Sequence, residues 1–384
     1  MSALKEDARR GVRRDSLGES PSGARRPLRA PYGLILAGGR GTRFWPRSRR
    51  ASAKQVLTFF GERSLIQQTV DRLGPIIAPE RIWILTNDHL RDTIVKQLPE
   101  VPARQILAEP AQRNTAPAIG LAAHILESID PGAVMGVFPA DHVIGNPAAY
   151  RRLLRPAIRS ARQGNIVVLG IQPRWAETGY GYIEFPPGIE AGSLEPTRVR
   201  RFREKPKAAA AARFVRSGNF YWNAGMFFWR ASVLLDALRK FLPATATLLD
   251  SLPKFGSRDF AKRLAGVFPQ CENISVDYAV LEKSPNVVGL AAGDIGWNDV
   301  GSWNAVYELG SRDTHGNVLL GDTLVEDSKG MYVDAHGKLV ALLGVEDLIV
   351  VDTPGALLIA DRHRAQQVGD LVKRLEKAGR EELL

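Results

Sequence analysis

Between residue 33 and about residue 170, short Val/Ile/Leu-rich runs alternate with stretches of helical period, and few folds accept that pattern. The runs at residues 33–36, 81–85, 105–107, 134–138 and 166–169 are each one strand long, while 64–73, 88–98, 115–127 and 148–163 read as helices. A strand apolar at nearly every position is buried on both faces. The pattern therefore predicts an α/β fold built on a mostly parallel sheet with helices on both sides. Ser64 and Thr115 are the expected N-caps of their helices. In such sheets ligands bind beyond the carboxyl ends of the strands, where loops converge on one crevice.

The regularity breaks from about residue 175 to 310, where antiparallel strands are predicted at 180–185, 198–202 and 221–229. Beyond Gly310, turn residues recur around short apolar runs. They predict a small all-β module over residues 311–360, closed by a helix at 364–377 with Val368, Leu371 and Leu375 turned inward. The expected division is a basic tail (residues 1–30), a main domain (31–310) and a C-terminal module (311–384). The tail holds eight Lys/Arg and four acids among many Ser, Gly and Pro, so it is expected to be disordered. It lacks the long apolar core of a secretory signal. The rest of the net charge of +11 is spread thinly, which argues against nucleic acid as a partner. No stretch approaches the apolar length of a membrane span, so no membrane partner is expected. The single cysteine, Cys271, can form no internal disulfide and fits a reducing cytoplasm, and the six histidines lack zinc-ligand spacing.

The loop after the first strand carries the chemistry. Gly38, Gly39 and Gly41 fall within four residues, followed by Thr42, Arg43 and Pro46. Glycines there let backbone N–H groups approach a ligand closely, and Arg43 adds a permanent charge with a fork matched to phosphate. The loop lacks the Gly-Lys-Ser/Thr of a Walker sequence, and Phe44 stands where a dinucleotide fingerprint has its third glycine. Arg43 and Lys54 flank a basic stretch with Arg47, Arg49 and Arg50, and two such cations can neutralise a polyphosphate. Asp141 follows an apolar strand, and Asp299 lies in a glycine- and tryptophan-framed turn. Two carboxylates suffice for Mg²⁺ when phosphate oxygens complete its shell. Glu184, the Glu204-Lys205 pair and Asn223 offer carboxylates, an amide and a cation suited to a sugar phosphate. Asn114 and Thr115 open a helix whose N-terminus and amides can face a purine.

Taken in order, GGRGTRFWP (38–46), EPAQRNTAPA (109–118), FPADHVI (138–144), RFREKP (201–206), WNAGMF (222–227), SVDYAVLE (275–282) and GWNDVGSW (296–303) resemble the sugar-1-phosphate nucleotidyltransferases, in their mannose-1-phosphate guanylyltransferase branch. The resemblance implies a Rossmann-like (GT-A-like) mixed sheet flanked by helices, with a small C-terminal β-helix-like module. It implies transfer of GMP from GTP to α-D-mannose 1-phosphate with release of pyrophosphate. Gly38, Gly39, Gly41 and Thr42 would then hold the nucleotide phosphates, with Asn114 and Thr115 near guanine. Arg43 and Lys54 would stabilise the triphosphate, and Asp141 and Asp299 would hold Mg²⁺, or Mn²⁺ in its place. Tyr180, Gly181, Glu184, Glu204, Lys205 and Asn223 would position the sugar phosphate. A homodimer is compatible with the resemblance. So is a monofunctional chain, since longer relatives continue into a cupin isomerase domain. One departure stands out: Ala53 precedes Lys54-Gln55 where the family usually has proline.

Overall fold

Strand β1 (Tyr32–Leu36) pairs in parallel with β2 (Ile82–Thr86), which pairs with β3 (Ile106–Ala108) on one side; β4 (Val134–Pro139) lies parallel to β1 on the other. The helices between them are α1 (Leu65–Leu73), α2 (Asp88–Gln97) and α3 (Thr115–Ile129). After a short β5 (Val143–Ile144) come α4 (Pro147–Arg162) and β6 (Ile166–Ile171). Alternation along the strands feeds two apolar layers. Leu34, Met135, Val137 and Val168 point into one, while Ile35, Val134, Phe138 and Val167 point into the other. Both faces are thus buried, which is why these strands read as continuous apolar runs.

The computed structural model describes residues 30–384, and residues 31–384 form one compact unit. The tail expected over residues 1–30 lies, Ala30 apart, outside the described residues.

The irregular stretch contributes β7 (Tyr182–Glu184), β8 (Thr197–Arg198), β9 (Arg201–Arg203), α5 (Ala208–Ser217) and β10 (Phe220–Arg230). There follow α6 (Ala231–Phe241), α7 (Pro243–Asp250), α8 (Phe260–Val267), β11 (Val287–Ala292), β12 (Trp297–Asn298) and α9 (Trp303–Leu309). Strand β10 runs antiparallel between β4 and β6, so the sheet is mixed at its centre, in the order β3-β2-β1-β4-β10-β6-β11-β8. The register of β10 slips between Asn223 and Phe227, a bulge in which Asn223 Oδ1 accepts the Gly225 N–H at 3.0 Å. The strand expected at 198–202 is split: β8 pairs with β11 and β9 with β7.

The C-terminal module stacks β13 (Val318–Glu326), β14 (Tyr332–Leu343) and β15 (Leu348–Thr353) in parallel, with β16 (Ala356–Asp361) antiparallel on β15. Parallel strands joined by tight turns make the expected β-helix-like coil. A 3₁₀ turn (Arg362–Gln367) leads into α10 (Val368–Lys377). Of the predicted inward face Val368 and Leu375 hold, and Leu371 is corrected. Val368 and Val372 are buried, at 2% and 4% exposure, whereas Leu371 is 40% exposed. The Val372 side, one step on from Leu371, faces a third apolar cluster. That cluster joins Phe44 and Trp45 of the glycine loop to Val300, Trp303, Tyr332 and Ile349. The module therefore packs directly on the loop that carries the candidate site.

Candidate active site

The glycine loop leaves β1 with its carbonyls tied inward. The buried Gln55 Nε2 donates to Ala37 O (2.6 Å) and Gly39 O (3.0 Å), and Thr86 Oγ1 donates to Ala37 O (3.0 Å). Gly41 is left-handed, at φ 61°, and a Cβ there would stand 2.6 Å from Lys54 Cβ, so only glycine lets the loop close on Lys54. Past the loop, Phe44 packs on Phe59 and Trp303 with ring centroids 5.0 and 5.4 Å apart. Trp303 Nε1 donates to Trp45 O at 3.1 Å.

A two-stranded ribbon brings the two aspartates together. β5 starts two residues after Asp141 and β12 ends one residue before Asp299; they pair antiparallel, Ile144 opposite Trp297 and Val143 opposite Asn298. Its base is closed by Gly145 N–H to Gly296 O and Asn146 N–H to Ile295 O, each 2.9 Å. Gly296, at φ 62°, lies so close to Gly145 that a Cβ would be 2.7 Å from Gly145 Cα. Lys54 Nζ then reaches Asp141 Oδ2 at 2.9 Å and the Asp299 carbonyl at 2.5 Å. Burial pushes the Asp141 carboxyl up, but the Lys54 charge and the Lys54 hydrogen bond outweigh it. The group therefore sits below its ordinary range and is ionised. Tyr180 OH donates to Asp299 Oδ1 at 2.6 Å; burial first, then the Asp299 charge, keeps this phenol protonated. His142, pushed down to about 4 mainly by burial, is neutral and accepts a hydrogen bond from Trp297 Nε1 at 3.2 Å.

These residues fit a hard, oxygen-seeking cation. The Asp141 carboxylate and the Asp299 backbone carbonyl, from distant segments, flank one ammonium, with the Asp299 carboxylate held by Tyr180 OH; among the described residues no group of three His, Cys, Asp or Glu forms a complete protein cage. Such a set suits Mg²⁺, which takes one or two carboxylates and fills its shell with phosphate oxygens and water.

Asp141 and Asp299 line two separate cavities. One, of about 760 Å³, is lined by Gly38, Gly39, Gly41, Thr42, Asn114, Thr115 and Asp141. The other, of about 590 Å³, is lined by Arg43, Tyr180, Trp222, Trp297 and Asp299. Arg43 thus faces the second cavity rather than the glycine cleft, its Nη1 donating to Gly301 O (2.8 Å) and Gln366 Oε1 (2.9 Å). Asn114, at φ 64°, is the residue that caps α3, its Oδ1 accepting the Thr115 N–H at 2.9 Å. Thr115, expected as the cap, is the first helical residue. Its hydroxyl accepts the Val276 N–H at 2.9 Å.

Gly181, Glu204, Lys205 and Asn223 meet in a third group. A Cβ at Gly181 would stand 2.4 Å from Glu204 Oε2 and 3.3 Å from Asn223 Cβ, and Lys205 Nζ lies 3.4 Å from Glu204 Oε1. Glu204 Oε2 is buried and lacks a hydrogen-bond partner. Burial, then the nearby Asp277 charge, raises this carboxyl to about 7. Glu184 is not in this group. Three residues on from Gly181, at the far end of β7, it is engaged by Arg201 Nε at 2.7 Å.

Four residues escaped the sequence reading. Asp277 accepts from Asn223 Nδ2 at 2.9 Å and backs the third group. Glu109 lines the glycine cleft, its Oε2 lying 3.2 Å from where a Gly38 Cβ would be, and burial raises it to about 7. Its signal was there to use: it is the first residue after β3, as Asp141 is the second after β4. Gln55 had its signal in the Lys54-Gln55 pair of the family pattern, whereas Gln366 carries none, because it acts only through a contact with a distant segment. The basic stretch is tied to the C-terminal module. Arg47 pairs with Asp334 (2.7 Å), Arg50 with Glu381 (2.6 Å), and Arg49 donates to Leu383 O.

The geometry has its counterpart in known proteins. Residues 32–316 match the family model described as "Nucleotidyl transferase". The chain belongs to this family. Residues 321–375 of this nucleotidyl transferase match a second model, "MannoseP isomerase/GMP-like beta-helix domain". It is 41% identical over 356 residues to the xanthan biosynthesis protein XanB of Xanthomonas campestris pv. campestris, spanning 91% of this chain and 74% of the relative. It is 39% identical over 355 residues to a mannose-1-phosphate guanylyltransferase of Escherichia coli, with the same shares covered. A solved structure described as a mannose-1-phosphate geranyltransferase from Thermus thermophilus superposes with a TM-score of 0.80 at 34% identity, covering 91% of this chain and all of that one. Among the described residues no helix is long and apolar enough to cross a membrane.

Proposed function

We propose that this nucleotidyl transferase moves GMP from GTP to α-D-mannose 1-phosphate, giving GDP-mannose and pyrophosphate. The observation that supports the reading is the convergence on Lys54 Nζ of the Asp141 carboxylate, which lines the glycine cleft, and the Asp299 backbone carbonyl, which brings the Asp299 segment beside it. A sugar-phosphate oxygen attacks the α-phosphorus as its bond to the pyrophosphate oxygen breaks. The second pKa of a phosphate monoester is near ~6, so the nucleophile is already ionised and no general base is needed. That agrees with a neutral His142 and a protonated Tyr180 beside the aspartates. What the reaction needs is alignment, on the order of 7–11 kcal/mol of barrier lowering, and charge stabilisation.

In this reading Gly38, Gly39, Gly41 and Thr42 hold the nucleotide phosphates, Lys54 stands at the Asp141 edge of that cleft, and Arg43 meets the end of the triphosphate from the second cavity. Asp141 and Asp299 would hold Mg²⁺, or Mn²⁺, and the ion would supply positive charge for the pyrophosphate oxygens. Asn114 and Thr115 sit near the base, and Glu109 is suited to guanine, whose N1–H and N2–H groups are both donors. Tyr180, Gly181, Glu204, Lys205 and Asn223, with Asp277 behind them, take the sugar phosphate, while Glu184 stays with Arg201. A cytoplasmic site fits the one cysteine, which is buried. A homodimer belongs to the same reading, to be read by sedimentation velocity. Pyrophosphate release measured over a matrix of nucleoside triphosphates and sugar 1-phosphates tests the assignment. GTP with mannose 1-phosphate is expected to be the preferred pair. Preference for glucose 1-phosphate or another triphosphate would assign the chain to a sister activity.

A further inference from the structure

We propose that Gln366, in the turn before α10, is a positioning residue for Arg43, so that the C-terminal module completes the active site. The inference rests on the reading that Arg43 meets the nucleotide's phosphates. Arg43 is an exposed side chain, and unrestrained it would lose much of its direction to rotamer freedom. Two acceptors on separate segments fix its Nη1: Gly301 O, two residues after Asp299, at 2.8 Å, and Gln366 Oε1 at 2.9 Å. The remaining guanidinium donors stay available to an anion.

The turn that carries Gln366 is itself braced. Arg362 pairs with Asp347 at 2.5 Å and donates to Gly330 O at 3.2 Å and Asn304 Oδ1 at 2.9 Å. The first turn of α10 lies against the loop, since a Cβ at Gly369 would touch Thr42 Oγ1 at 3.5 Å and Arg43 Cγ at 3.6 Å. Further along α10, Glu376 pairs with Arg40 at 2.5 Å. The choice of an amide also has a reason. Glutamine accepts a hydrogen bond without adding negative charge, whereas a carboxylate would neutralise Arg43 and repel incoming phosphates.

That difference separates positioning from structural support. Gln366→Ala should lower kcat/KM for GTP on the order of tenfold to a hundredfold, with an unchanged melting temperature. Gln366→Glu keeps an acceptor of the same length and strengthens the pair, so a merely structural residue would tolerate it. The inference expects Gln366→Glu to be at least as impaired as Gln366→Ala, with raised KM for GTP and, in the reverse direction, for pyrophosphate. In an Arg43→Ala background Gln366→Ala should add nothing. If Arg43→Ala is impaired while both Gln366 variants match the wild type, the inference fails and the reading of Arg43 stands. If Arg43→Ala itself is fully active, the role of Arg43 fails, and Gln366 with it.

Discussion

Glu109 shows what a single misplaced-looking charge costs and what it offers. Its carboxyl is raised from 4.5 to about 7 by burial, so folding favours the neutral form. The stability held by that neutral form is complete below pH 4.5 and is lost as the pH rises through 7, at most about 3 kcal/mol by pH 8. Glu109→Gln should therefore raise the melting temperature at pH 8, and the gain should fade toward pH 5 in thermal scans. The functional trend runs the other way. An ionised Glu109 is the form that accepts from guanine, so kcat/KM for GTP should fall about tenfold per unit on the acid side of pH 7. Glu109→Gln should flatten that profile at a lower level. A steep acid limb persisting in the glutamine variant would remove Glu109 from base recognition.

At the scale of elements, the β5–β12 ribbon sets the spacing of the two aspartates. Gly296→Ala would force a Cβ to 2.7 Å from Gly145 Cα at a left-handed φ. A cost of about 1–3 kcal/mol and a larger loss of turnover are expected, read by thermal melts beside initial rates. How much could be read beforehand depended on how local each element's cause was. β1, β2, β4 and β6 were legible because burial on both faces writes itself into every residue. The central place of β10 was not, because antiparallel pairing with β4 and β6 depends on partners some 50 to 90 residues away. Val368-to-Leu371 and Val368-to-Val372 are equally good helical spacings, and only packing on Phe44 and Trp303 selects the second. Asn114 and Thr115 are both capping types, and it is the Asn114 Oδ1 that accepts the Thr115 N–H. Likewise the aspartates were visible singly, but their meeting lives in a two-residue strand pairing.

Across the whole molecule, the C-terminal module is held to the loop after the glycines by Arg47, Arg49 and Arg50 as well as by the shared apolar cluster. Loss of α10 should therefore cost activity as well as stability, since Val368 and Val372 lie in that cluster. Every proposed site residue falls between positions 38 and 366. Deleting residues 1–29 should leave kcat and KM for both substrates within about twofold.

The central claim is that Asp141 and Asp299 act as one divalent-cation site beside the glycine loop. Its most direct measurement is the rate of GDP-mannose formation from GTP and mannose 1-phosphate across a Mg²⁺ titration, for wild type, Asp141→Asn and Asp299→Asn. Each asparagine variant should stay folded, Asp141→Asn with a lowered melting temperature because the buried Lys54 loses its counter-charge, yet lose about a hundredfold or more in turnover at saturating Mg²⁺. Folded variants that keep wild-type rates and wild-type Mg²⁺ dependence would contradict it.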